Sequence, residues 1–136
     1  MRIAVYSRKS KFTGKGDSIE NQVELAREYI RLHYPGISKR DIMVFEDEGY
    51  SGKNFDRPQF KAMMSEQSRQ HFDAIVVYRL DRISRNVGDF ASLIETLTRA
   101  GTAFVSIREQ FDTATSMGRA MMNISATFAQ LERETI

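Results

Sequence analysis

The sequence contains no cysteine and only two histidines in 136 residues. Without cysteine there is no disulfide frame, no thiolate metal site and no cysteine nucleophile, a usage that fits a reducing compartment. His33 sits by the Pro35-Gly36 helix stop and His71 in a polar loop. Neither has a partner at metal-ligand spacing, and a Ser-His-Asp arrangement is not supported. Gly14-Lys15-Gly16 is too short for a Walker phosphate loop, and no Gly-x-Gly-x-x-Gly follows a strand, so nucleotide cofactors gain no support. No apolar run approaches the roughly 18 residues of a membrane span, and the amino terminus lacks a signal-like apolar stretch. A soluble, cytoplasmic protein with no membrane partner is expected. Charge of one sign is also scarce: 20 Lys+Arg against 18 Asp+Glu leave +2, so net charge decides nothing about nucleic acid.

What is present suits one domain with a real core, since 41% of the residues are hydrophobic. Ile3-Ala4-Val5-Tyr6 reads as a strand that breaks into a polar, basic loop from Ser7 to Asp17. Asp17 and Ser18 are good N-caps for a helix with Ile19, Val23, Ala26, Tyr29 and Ile30 at helical spacing, stopped by Pro35-Gly36. Ile42-Met43-Val44-Phe45 is a second strand, and Pro58 suits the first turn of a helix carrying Phe60, Met63 and Met64. Ala74-Ile75-Val76-Val77-Tyr78 is a third strand. Phe90, Leu93, Ile94 and Leu97 mark another helix that Gly101 ends, and Ala103-Phe104-Val105-Ser106-Ile107 is a fourth strand. The expectation is a single α/β domain, a mostly parallel central sheet flanked by helices, over residues 1–115. From Met117 the apolar positions Ala120, Met121, Ile124, Phe128 and Leu131 run helically to the last residue. Residues 116–136 are therefore expected to begin a long helix that continues in a longer protein.

In open parallel sheets, functional groups collect beyond the carboxyl ends of the strands. Ser7-Arg8-Lys9-Ser10-Lys11 follows the first strand. Glu46-Asp47-Glu48-Gly49-Tyr50-Ser51-Gly52-Lys53 and Asp56-Arg57-Pro58 follow the second, and Arg79-Leu80-Asp81-Arg82-Ile83-Ser84-Arg85 the third. Basic groups from three loops would converge on one crevice, as a bound phosphate requires. Guanidinium forks can meet the charge that builds on a phosphodiester in its transition state, and a serine beside them can attack phosphorus. Ser10 and Ser51 are the exposed candidates. Ser7, in alternation with Ile3 and Val5, points away from the crevice. Plainer readings stand beside these: Asp81 pairs with Arg79 or Arg82 at the surface, Ser10 is a loop serine, Arg8 is an edge-strand charge, and Glu46-Asp47-Glu48 is a solvated strand end rather than a Mg²⁺ site.

Tyr6-Ser7-Arg8-Lys9-Ser10, Gly49-Tyr50-Ser51-Gly52 with Asp56-Arg57-Pro58, Tyr78-Arg79-Leu80-Asp81-Arg82-Ile83-Ser84-Arg85 and Gln130-Leu131-Glu132-Arg133-Glu134 together resemble the catalytic domain of the serine recombinases, the resolvase/invertase family. The match runs in order over the whole chain. The Gly-Tyr-Ser-Gly stretch and the long loop before Gln22 look more like the large serine integrases and transposon recombinases than the short resolvases. The resemblance implies that Ser10 attacks a backbone phosphate of double-stranded DNA and stays linked to the 5′ phosphate until the ends are exchanged and resealed. It implies that Arg8, Arg82 and Arg85 surround that phosphate, with Asp81 as proton shuttle or arginine orienter. It also implies that Gln22, Asp47, Ser51 and Arg57 support the site, and that Glu132 and Arg133 belong to the contacts of a dimer on each site and a tetramer during exchange. No metal and no cofactor is implied, because resealing reuses the phosphoserine link. Site recognition would lie in a DNA-binding region outside this chain. Lys9 departs from the small or aliphatic residue usual there. Two other readings remain: a catalytically silent assembly module of the same fold, and an α/β enzyme for a small phosphorylated substrate.

Overall fold

Alternation along the first strand, β1 (Ile3–Lys9), divides its side chains between two cores. Ile3 and Val5 join Ala26 and Ile30 on one face of the sheet, and Ala4 and Tyr6 join Phe60, Met63, Phe90 and Leu97 on the other. The structure, a computed structural model, describes residues 1–9, 19–48, 57–79, 87–108, 110–115 and 120. In chain order the remaining elements are α1 (Ile19–His33), a 3-10 turn (Lys39–Asp41), β2 (Ile42–Glu48), α2 (Pro58–Arg69), β3 (Ala74–Val77), α3 (Val87–Arg99), β4 (Ala103–Ser106) and β5 (Phe111–Asp112).

The strand order is β2-β1-β3-β4-β5. β1 pairs in parallel with β2 and β3, β3 with β4, and only β5 runs antiparallel. The step from β1 to β2 goes one way along the sheet and the steps to β3 and β4 go the other. Crossovers of one hand must then put α1 on one face and α2 and α3 on the opposite one, as the two cores record. The direction reverses between β1 and β3, so the connections that leave their carboxyl ends diverge to opposite faces. A crevice at that switch point is where open α/β sheets bind ligands.

The single α/β domain expected from the sequence is present, with two differences in extent. β1 continues through Ser7-Arg8-Lys9 and β2 through Glu46-Asp47-Glu48, segments that read as loops because they are charged. Their register shows how the strands extend: Ser7, Arg8 and Lys9 pair in parallel with Glu46, Asp47 and Glu48, which sets the opposite charges of Arg8 and Asp47 side by side on neighbouring strands. β5, two residues long, carries no periodic signal and was not foreseen. α3 ends as its glycine predicts. Gly101 has φ +78°, its N–H donates to Thr98 O at 3.1 Å, and Thr102 N–H donates to Leu97 O at 2.9 Å, the paired bonds of a Schellman cap. Of the helix expected from Met117, all but Ala120 lies outside the described residues.

Candidate functional site at the carboxyl ends of β1 and β2

Arg8 continues the face of β1 that carries Ala4 and Tyr6, and Asp47 continues the face of β2 that carries Met43 and Phe45. The two are register partners on adjacent strands. Both are buried, Arg8 at 1% exposure and Asp47 at 2%. That burial excludes a surface charge at the edge of the sheet for Arg8 and a solvated strand end for Asp47; Glu46, beside it, is exposed.

Asp47 organises the entry to α2. Its Oδ1 accepts from the Gln59 backbone N–H at 3.0 Å, and its Oδ2 accepts from the Phe60 N–H at 3.0 Å and from the Tyr6 hydroxyl at 2.8 Å. The first N–H groups of a helix lack partners within it, and its amino end favours negative charge. Arg57, at the N-cap, makes no side-chain cap bond. A carboxylate from the neighbouring strand does that work instead. Pro58 at the first helical position needs no donor partner.

Arg57 is fully buried. Its guanidinium lies 5.3 Å from the Tyr6 ring centroid and 5.2 Å from that of Phe60, and the two rings meet edge to face at 5.6 Å. Burial pulls the Arg57 pKa down, while Tyr6 and Asp47 act to raise it. Burial pushes the Tyr6 phenol well above the ordinary tyrosine range; Arg57 opposes that shift, and the hydrogen bond and charge of Asp47 add to it. The result is a buried layer, Tyr6, Arg8, Asp47 and Arg57, on the α2 side of the sheet. On the α1 side, the buried Ser7 hydroxyl donates to Gln22 Oε1 at 2.9 Å. Ser7 therefore faces away from the layer that holds Arg8, as its alternation predicts.

Of the residues singled out in the sequence, Arg8, Gln22, Asp47 and Arg57 are described, and all four are buried near the carboxyl ends of β1 and β2. Ser10, Ser51, Asp81, Arg82, Arg85, Glu132 and Arg133 lie outside the described residues. Sequence reasoning did not assign Tyr6 to the site. Its signal was its place two residues before Arg8 on the same strand face. His33 and His71 are exposed, and His33 stacks on Tyr29 at 3.9 Å between centroids. Among the described residues no cluster of His, Asp and Glu could hold a metal ion, and no helix is long and apolar enough to cross a membrane.

The sequence matches the family description "Resolvase, N terminal domain" over residues 3–136. The chain belongs to the resolvase family. It is 38% identical over 104 residues to the Transposon Tn917 resolvase of Enterococcus faecalis, covering 76% of this chain and 52% of that protein. It is 37% identical over 94 residues to the DNA-invertase of Escherichia phage P1, covering 69% and 49%. This resolvase-family chain thus spans about half the length of the curated relatives it matches. Among solved structures it is similar to the N-terminal catalytic domain of TP901-1 integrase, with a TM-score of 0.77 and 28% identity over 99% of this chain and 98% of that one. The relatives at 37–38% identity are a resolvase and an invertase while this structural neighbour is an integrase domain, so these likenesses show the family and do not single out the integrase branch read from Gly49-Tyr50-Ser51-Gly52.

Proposed function

We propose that this resolvase-family chain is the catalytic domain of a site-specific DNA recombinase that cuts and reseals double-stranded DNA through Ser10. The observation that carries the reading is the buried, aromatic-braced arginine layer at the carboxyl ends of β1 and β2, beside the switch point of the sheet. Ser10 follows β1 directly in sequence, and Arg8, two residues before it, is held by the strand.

In the first step the Ser10 oxygen forms a bond to phosphorus, its proton passes to a base, and the bond from phosphorus to the 3′ oxygen breaks. That oxygen takes up a proton and leaves as a 3′ hydroxyl, with the 5′ phosphate esterified to the serine. Resealing runs the same exchange in reverse with a new 3′ hydroxyl, so one phosphoester replaces another and no external energy source is required. Arg8, with Arg82 and Arg85 from the connection after β3, meets the charge on the non-bridging oxygens. Asp81 orients an arginine or carries the proton. Gln22, Asp47, Ser51 and Arg57 hold the surroundings, and Asp47 does so by fixing the start of α2 and with it Arg57. In the full-length protein a dimer on each site and a tetramer during exchange, with Glu132 and Arg133 at the contacts, complete a reaction in the cytoplasm.

The test compares full-length protein and its Ser10→Ala variant on attachment-site DNA under conditions that slow resealing, read as a covalent protein-DNA adduct on a denaturing gel. An adduct on the 5′ phosphate that disappears in Ser10→Ala is expected. An adduct that survives would move the nucleophile to Ser51. None from a folded, DNA-bound wild type would leave an assembly module.

A further inference from the structure

β4 ends beside β3, and the chain just beyond it is tied to the chain just beyond β3. Ile107 N–H donates to Val77 O at 3.0 Å and Arg108 N–H to Tyr78 O at 2.8 Å, while Arg108 Nη1 reaches the Tyr78 hydroxyl at 3.4 Å. Gln110, with φ +60°, closes the turn by donating its N–H to Ile107 O at 3.1 Å. A non-glycine residue in that region is uncommon, and the turn that imposes it keeps the backbone of Arg108 on the rim of the sheet.

Arg108 is exposed, and among the described residues no carboxylate pairs with it. Arg2 is bound to Glu66 at 3.1 Å, Arg69 to Glu66 at 2.5 Å and Arg99 to Glu95 at 2.5 Å. The exposed Arg40 shares the lack of such a partner among the described residues, and what sets Arg108 apart from it is its place at the carboxyl end of the sheet. The nearest described acid in the chain, Asp112, accepts from Ala114 N–H at 2.8 Å. Neighbouring strands lie about 4.8 Å apart, so the end of β4 is roughly 10 Å from the end of β1. A DNA backbone held over β1 and β3 passes that distance within a few nucleotides, at roughly 3.4 Å of helix axis per nucleotide of one strand.

We propose that Arg108 is a further DNA-backbone contact, a guanidinium held at the end of β4 that takes a phosphate flanking the one in the crevice. The inference rests on the DNA-cutting reading and adds a binding residue that takes no part in bond exchange. It sets how the duplex lies across the rim and carries no sequence preference.

The experiment measures affinity of the full-length protein for a short duplex of mixed sequence over a salt series, for wild type, Arg108→Ala, Arg108→Lys and Arg40→Ala. Arg40 is exposed in the turn before β2, at the opposite end of the sheet. Arg108→Ala is expected to weaken binding to every sequence alike and to lower the slope of log affinity against log salt by about 1. Arg108→Lys should restore the slope, and Arg40→Ala should leave it as in wild type. An unchanged slope in Arg108→Ala, or an equal loss in Arg40→Ala, overturns the inference. Unfolding curves for each variant separate lost folding from lost contact. The Ser10 adduct is scored in parallel: a wild type that forms it while Arg108→Ala keeps its slope sinks this inference alone, and a wild type that binds but forms no adduct sinks the recombinase reading.

Discussion

Truncating Asp47 to alanine strands three donors at once: the Tyr6 hydroxyl and the backbone N–H groups of Gln59 and Phe60. Loss of a helix cap costs about 1 kcal/mol and each buried donor left without a partner about 1–3, so Asp47→Ala is expected to lower stability by roughly 2–4 kcal/mol in urea unfolding. Asp47→Asn, which keeps an acceptor oxygen, should lose less; equal stability of Asp47→Ala and wild type would contradict the capping role. Tyr6 supplies a second test. Burial raises its pKa above the unfolded value of 10.0, so above pH 10 the unfolded chain gives up a proton that the folded chain retains. The stability from keeping that phenol neutral is complete below pH 10 and declines as pH rises beyond it. Tyr29, pushed up to about 12 by burial and the charge of Asp112, acts in the same direction. Tyr6→Phe should therefore flatten the alkaline fall in unfolding midpoint, and a fall as steep as in wild type would refute the assignment. The family resemblance picked out Arg8, Gln22, Asp47 and Arg57, but not the Tyr6–Asp47 bond, which joins residues 41 positions apart. Strand pairing creates such a contact, and no local pattern announces it.

At the scale of elements, the apolar segments were legible because hydrophobic periodicity reports burial directly. Ala74–Val77 is buried throughout, and Phe90, Leu93, Ile94 and Leu97 line one side of α3 as their spacing requires. The charged ends of β1 and β2 were not legible, since a strand whose last residues pair Arg8 with Asp47 looks like a loop until its neighbour is known. β5 is too short for any periodicity. The helix stop at Gly101 offers a direct check. Its φ of +78° disfavours any side chain although nothing stands within 4 Å of an added Cβ, so Gly101→Ala is expected to cost about 1 kcal/mol through backbone conformation alone. Equal stability would mean that the α3 cap does not need the left-handed residue.

For the whole molecule, a net charge of only +2 together with arginines gathered at one end of the sheet predicts weak DNA binding by this chain on its own. Affinity should fall linearly with log salt and differ little between duplex sequences, as electrophoretic or anisotropy titrations will show; salt-insensitive, sequence-selective binding would count against it. Asp47, on β2, holds the Tyr6 hydroxyl of β1 and the first N–H groups of α2 with one carboxylate. A helix start ordinarily frays on its own, but here opening that turn also strips a buried phenol of its acceptor, so the first turn of α2 opens and closes with the sheet as one cooperative unit.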